Sequence, residues 1–178
     1  MLLPDELAEP LRAQSRFTGG VFCAARRVCH AGLGAGVAAR FKTLAEINSV
    51  IRDELAKGDE DGLAASATGP LWIRSIAESV NSPNDGDAVI LPALKKFAAA
   101  RMVVGHSIMD NRITVGLNDR LILIDVGMTG YYGGPAACLI IEKGEFFAVH
   151  DGQKKQKLFS APAAAPAASQ PEELKPAA

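Results

Sequence analysis

Apolar residues recur at two different spacings, and the change from one to the other divides the chain. Between Val37 and Lys57, the residues Phe41, Leu44, Ile47, Val50, Ile51 and Leu55 return every three or four positions. That is the stripe of one long helix facing a core, and Gly58 stops it. Val89–Ala100 repeats the pattern with Leu91, Leu94 and Phe97 on one side. Shorter helices are predicted over Pro4–Arg12 and Ile76–Val80. From Arg101 onward the apolar residues come in brief runs instead: Met102–Val104, Ile113–Val115, Leu121–Ile124, Ala137–Ile141 and Phe146–Val149. Turn residues at Asn118-Asp119, Gly133-Gly134-Pro135 and Lys143-Gly144-Glu145 separate them, so they read as strands. Val21–Cys29 reads as a hairpin or one broken strand, Asp59–Thr68 as a loop and Asn81–Gly86 as a turn. Helices followed by closely spaced strands predict an α/β fold, with a mixed or antiparallel sheet flanked by helices. The pattern ends near Gly152, which predicts one domain over residues 1–152 and a disordered Ala/Pro-rich tail over 153–178. Four prolines between Pro162 and Pro176 exclude a continuous helix there.

Composition changes this picture little. A hydrophobic share of 48% over 178 residues is enough for a core, and a net charge of −1 gives no broad basic surface for nucleic acid. No apolar run approaches the roughly 20 residues that cross a bilayer, and the acids Asp5, Glu6 and Glu9 argue against a signal peptide. The three cysteines, Cys23, Cys29 and Cys138, lack CxxC spacing and are expected to be reduced, buried small hydrophobes of a cytoplasmic protein.

Candidate chemistry gathers where apolar runs end. Arg101-Met-Val-Val-Gly-His-Ser-Ile108 delivers His106 just after a strand. Val28-Cys-His-Ala-Gly-Leu33 delivers His30 in the same way, and Arg120-Leu-Ile-Leu-Ile-Asp-Val-Gly-Met128 delivers Asp125. Strand ends are where a sheet opens onto loops. A lone histidine there is more often structural, but two, each at a strand end with glycine within two residues, point to two ligands of one metal. Two are fewer than the three or four protein ligands a zinc ion usually takes. Arg74 either packs its stem on Trp72 or clamps a phosphate with its planar fork. Asp125 either accepts a hydrogen bond from a ligand histidine or caps a turn. Tyr131 and Tyr132 either line a substrate rim or cover a sheet edge. Gly32-Leu-Gly-Ala-Gly36 lies between a strand and a helix, but its GxGxG spacing has Val37 where a dinucleotide-binding fingerprint needs glycine, and no acid-tipped second strand follows.

Four segments occur in a familiar order: Val28-Cys-His-Ala-Gly-Leu33, Gly69-Pro-Leu-Trp-Ile-Arg74, Val103-Val-Gly-His-Ser107 and Leu123-Ile-Asp-Val-Gly-Met128. Together they resemble the C-terminal half of calcineurin-like metallophosphoesterases, especially bacterial-type and Shewanella-like members of the phosphoprotein phosphatase family. The resemblance runs from about Leu3 to about Asp151. It implies a pair of mixed sheets flanked by helices and a hydrolase site with two divalent metals, usually manganese, iron or zinc. It further implies that His30 and His106 bind one metal, Arg74 grips the phosphate, and Tyr131 or Tyr132 lies near a phosphorylated substrate. The family's GDxHG, GDxxDRG and GNHE motifs do not occur in this sequence. The expectation is therefore a truncated, catalytically incomplete phosphoesterase with an incomplete ligand set. Its uncovered sheet edge would favour self-association or a complementing N-terminal half. The alternatives are a partner-binding remnant of the fold, or a mononuclear metal-binding protein that adds Asp125 or His150 as a third ligand.

Overall fold

A computed structural model describes residues 26–160 and contains two sheets and four α-helices. The predicted helix over Pro4–Arg12, Cys23, the start of the Val21–Cys29 strand, and residues 161–178 lie outside the described residues. The first sheet has the order β1-β2-β4-β3, from β1 (Arg26–Cys29), β2 (Arg101–Val104), β3 (Thr114–Gly116) and β4 (Leu121–Leu123). β1, β2 and β4 run parallel, and β3 is the antiparallel edge. The second sheet is antiparallel, with the order β5-β6-β7, from β5 (Ala137–Glu142), β6 (Glu145–His150) and β7 (Gln156–Ser160). Helices α1 (Ala35–Arg40), α2 (Leu44–Lys57), α3 (Ser75–Glu78) and α4 (Pro83–Lys96) lie between β1 and β2 in the chain. The fold is thus the predicted mixed α/β arrangement.

Alternation along β2 and β4 explains the layering. Met102, Val104, Leu121 and Leu123 belong to the helix-side core, with Ile76, Ile90 and Leu94. Val103 and Ile122, pointing the other way, belong to a second core with Phe146 and Ala148 of β6. β2 and β4 are therefore covered on both faces, which is why Met102–Val104 and Leu121–Leu123 read as unbroken apolar runs.

The structure revises four of the expected elements. The predicted helix over Val37–Lys57 is two helices, because Thr43 starts a new one with a capping box. Its Oγ1 accepts from the Glu46 N–H at 3.1 Å, and Glu46 Oε2 accepts from the Thr43 N–H at 3.3 Å. Such a cap is worth about 1 kcal/mol, enough to define a boundary that the apolar stripe bridges. Leu55, placed on the core side, is 60% exposed. The helix expected from Val89 begins at Pro83, where proline's missing N–H would have had no partner in any case. Cys138 is exposed rather than buried, because it falls on an outward position of β5.

The fourth revision concerns the boundary at residue 152. β7 lies beyond it and pairs with β6, so the ordered sheet runs to Ser160. Phe159 stacks against Phe146 with ring centroids 4.5 Å apart, and the Arg101 guanidinium lies 4.6 Å from the Phe159 ring centroid. Lys157 pairs with Glu145 across β7 and β6, and Lys155, just before β7, pairs with Glu142 at the end of β5. No helix among the described residues is long and apolar enough to cross a membrane.

Candidate metal and phosphate site

Parallel pairing brings the chemistry together. β1, β2 and β4 are in register, with Cys29 opposite Val104 and Val104 opposite Leu123. The residues that follow them, His30, Gly105-His106 and Ile124-Asp125, therefore emerge at one rim, the carboxyl end of a parallel sheet. The ladder continues one step past the strands: the Gly105 N–H donates to the His30 carbonyl at 2.7 Å, and the Ile124 N–H donates to the Val104 carbonyl at 2.9 Å. Arg74 arrives from another direction, at the N-terminus of α3, after the turn Gly69–Ile73. That turn is tied to the His30 turn by the Ala31 N–H, which donates to the Pro70 carbonyl at 3.0 Å.

The two imidazoles meet. Their ring centroids are 5.0 Å apart and their planes are tilted by 49°. An ion held at about 2.0–2.1 Å by one nitrogen of each ring, at angles near 90–109°, sets the ring centres roughly 4.5–5.2 Å apart. The observed separation fits a shared ion. His106 also has φ +66°, and the Ser107 N–H donates to the Gly105 carbonyl at 2.7 Å, so His106 is the middle of a γ-turn in the left-handed region. That conformation is rare and strained for a residue with a Cβ, and such strain concentrates at functional positions.

Nε2 of His106 is buried with no hydrogen-bond partner, and so is Oγ of Ser107. A buried, unpartnered ring nitrogen on an imidazole facing a second imidazole is the atom a metal would use. The His106 pKa lies below the ordinary histidine value, first because burial disfavours the charged ring, then because His30 and Arg74 add positive charge, with Asp125 opposing. The ring is therefore neutral at physiological pH and keeps a lone pair. The unfolded chain accepts that proton first, so this residue makes stability fall as pH drops below about 6.5, and the fall ends once the folded-state pKa is passed.

Trp72 forms a wall of the site that the sequence reading assigned only as a shelf for the Arg74 stem. Its ring stands edge-on to His106 at 5.5 Å and 88°, and its Nε1–H donates to the Ala64 carbonyl at 2.9 Å. The signal was its place two residues before Arg74 in an otherwise tryptophan-free chain. A cavity lined by Trp72, Arg74, Ser75 and Thr68 opens beside it.

The remaining predicted residues are placed as follows. Asp125 Oδ1 accepts from the Gly127 N–H at 3.0 Å, which is the turn-capping alternative, while its charge still acts on His106. Tyr131 and Tyr132 stand on the turn after β4, 89% and 57% exposed, packed edge to face at 4.9 Å. His150, considered as a third ligand, has Nε2 committed to the Ile113 N–H between the two sheets, so the mononuclear arrangement built on it is not formed. Among the described residues, no group of three His, Cys, Asp or Glu side chains converges to hold a metal. The pair thus matches the spacing of two ligand positions and no more.

Three comparisons bear on this geometry. The described fold matches solved structures of a cold-active protein-tyrosine phosphatase from a psychrophilic Shewanella species, with a TM-score of 0.62 and 18% identity over 75% of this chain and 40% of that one. A second structure of a cold-active protein tyrosine phosphatase gives a TM-score of 0.63 at 17% identity, covering 76% of this chain. Over the matched part, the chain shares the fold of those structures. An uncharacterized protein of Schizosaccharomyces pombe is 30% identical over 122 residues. The match takes in 65% of this chain, which spans 36% of that relative's length. No family model matches the chain. The chain spans about two-fifths of the solved structures it matches, with 40% of each covered.

Proposed function

We propose that residues 26–160 carry one part of a metal-dependent phosphoesterase site. In this reading His30 and His106 are two ligands of one divalent ion, and Arg74 is the phosphate clamp. The observation that supports it most is the pair of imidazoles 5.0 Å apart, one with a buried nitrogen that has no protein partner. When bound, a manganese, iron or zinc ion would supply charge neutralisation at phosphorus and a nucleophilic water near neutral pH. The chain's own residues have narrower tasks. His106 stays neutral and fixed by its γ-turn, Trp72 flanks it and excludes water from one side, and the exposed fork of Arg74 takes phosphate oxygens in bidentate fashion. Tyr131 and Tyr132 form the outer rim. The substrate class suggested by the solved neighbours is a phosphorylated protein.

Two neutral imidazoles hold a hard cation weakly, because such ions prefer carboxylate oxygen. The reading therefore assigns the anionic ligands to a complementing segment outside residues 26–160. Assayed alone on a generic phosphate ester with added manganese, the chain is expected to show no turnover at an enzymatic rate. Mixed with a separate polypeptide bearing GDxHG, GDxxDRG and GNHE, it is expected to give metal-dependent turnover that His106→Ala abolishes. Full activity from the chain alone contradicts the assignment of ligands to another segment. Restored turnover that ignores His106→Ala contradicts the reading of the site itself.

A further inference from the structure

The segment that presents His106 is held at its far end by a group outside the site. The Ile113 N–H donates to Nε2 of His150 at 3.2 Å, and the two residues are 6% and 8% exposed. Ile113 lies at the end of the segment that begins at Gly105, just before β3, whereas His150 is the last residue of β6. One imidazole thus joins the two sheets. An N–H aimed at Nε2 needs a lone pair there, so this contact exists only while that nitrogen carries no proton.

Within the segment between these anchors His106 is the strained residue, because aspartate and asparagine tolerate the left-handed region. His106, Asp110 and Asn111 all have positive φ, at 66°, 54° and 48°. Nδ2 of Asn111 donates to the Val126 and Tyr132 carbonyls at 3.3 and 3.4 Å, which fastens the segment to the loop that follows Asp125. Its near end is fixed by the Gly105 N–H on His30 and its far end by His150. A chain held away from its preferred dihedrals returns toward them when a fastening is lost.

His150 is the fastening that acid can remove. A polar cavity lies beside it, lined also by Asp110, Arg112, Gln153 and Gln156. Of the charged groups there, Asp110 and Arg112 lie 3.8 Å apart and their side chains are 69% and 68% exposed, so they largely offset each other. Asp151, next to His150 in the chain, is exposed. A proton on Nε2 would set N–H against N–H and leave a buried donor without an acceptor, a state that is unfavourable compared with opening.

We propose that His150 is a positioning residue whose neutral imidazole holds the His106 segment in place, and that its protonation releases that segment. This rests on the hydrogen bond from the Ile113 N–H to the His150 ring and stands whether or not the site takes a metal or a phosphate. The test is amide hydrogen exchange of the whole chain against pH, read as protection factors at Ile113 and Ser107. Wild type is expected to lose at least tenfold protection at both amides on acidification. His150→Leu, which has no acceptor, should show the same loss at neutral pH. His150→Gln, which keeps a non-titrating acceptor, should resist acid, and this separates His150 from titration of His106 itself. Equal Ile113 protection in wild type and His150→Leu overturns the proposal. So does an acid-induced loss in His150→Gln that matches wild type, and so does ring-nitrogen NMR showing the proton of neutral His150 on Nε2. If His150→Leu does not fold, the comparison of wild type with His150→Gln decides alone.

Discussion

Replacing Gly69 with alanine should destabilise the protein by about 3 kcal/mol or more, or prevent it from folding. An alanine Cβ at that position would lie 2.0 Å from the Leu63 carbonyl oxygen and 2.9 Å from that of Ser66. Both obstacles are backbone, so no side-chain rotation relieves them. The turn cannot slide away either. The Gly69 N–H donates to Ser66 at 2.8 Å, and the Gly69 carbonyl accepts from the N–H groups of Trp72 and Ile73 at 3.1 and 3.0 Å. Shifting the turn would also displace Pro70 from Ala31, and with it the His30 turn. The matched control is Gly36→Ala. Nothing lies within 4 Å of a Cβ there, and the position is helical, so the change should be neutral or stabilise by up to about 1 kcal/mol. Urea denaturation of the two variants checks both signs, and a Gly69→Ala midpoint equal to wild type contradicts the structure of this turn.

Removing either imidazole at the rim should lower zinc or cobalt affinity at least about tenfold. One ring alone is a monodentate ligand, and the second ring adds binding without a second loss of translational freedom. The double substitution should lose little more than either single one, because the two rings act as a unit. His106→Gly sharpens the argument. Glycine accepts φ +66° without strain, and the substitution deletes a buried nitrogen that has no partner. That variant should unfold no more easily than wild type while binding metal far more weakly. Isothermal titration with zinc and thermal melting of the same samples measure the two effects side by side. Loss of stability in proportion to loss of affinity would mean that His106 is there for packing.

Much of this arrangement was legible in the residues, for physical reasons that can be named. β2 and β4 announce themselves because a strand covered on both faces is apolar throughout, and such a strand ending at Gly105 has to release His106 at the sheet's rim. The convergence of His30 with His106 was read from two histidines at strand ends with glycine nearby and reinforced by a resemblance of motifs, since 76 positions of chain separate them and periodicity carries no information about which strands become neighbours. The break between α1 and α2 was written in Thr43 and Glu46, a capping box that the longer apolar stripe obscured. β7 was missed because Leu158 and Phe159 stand among lysines. It pairs with β6, where Phe159 meets Phe146 and Lys157 meets Glu145, partners found only after folding. The role of His150 lies equally outside local pattern, because the N–H it receives comes from residue 113.

The most direct test of the central claim uses the fact that the chain has three histidines. Ring resonances of all three can be followed while zinc is titrated into the whole protein near neutral pH. The account predicts that His30 and His106 shift together along one binding curve, each through a ring nitrogen, while His150 stays where it was. A curve in which only one of the rim histidines responds, or in which His150 responds as strongly as they do, contradicts a shared ion between the two turns.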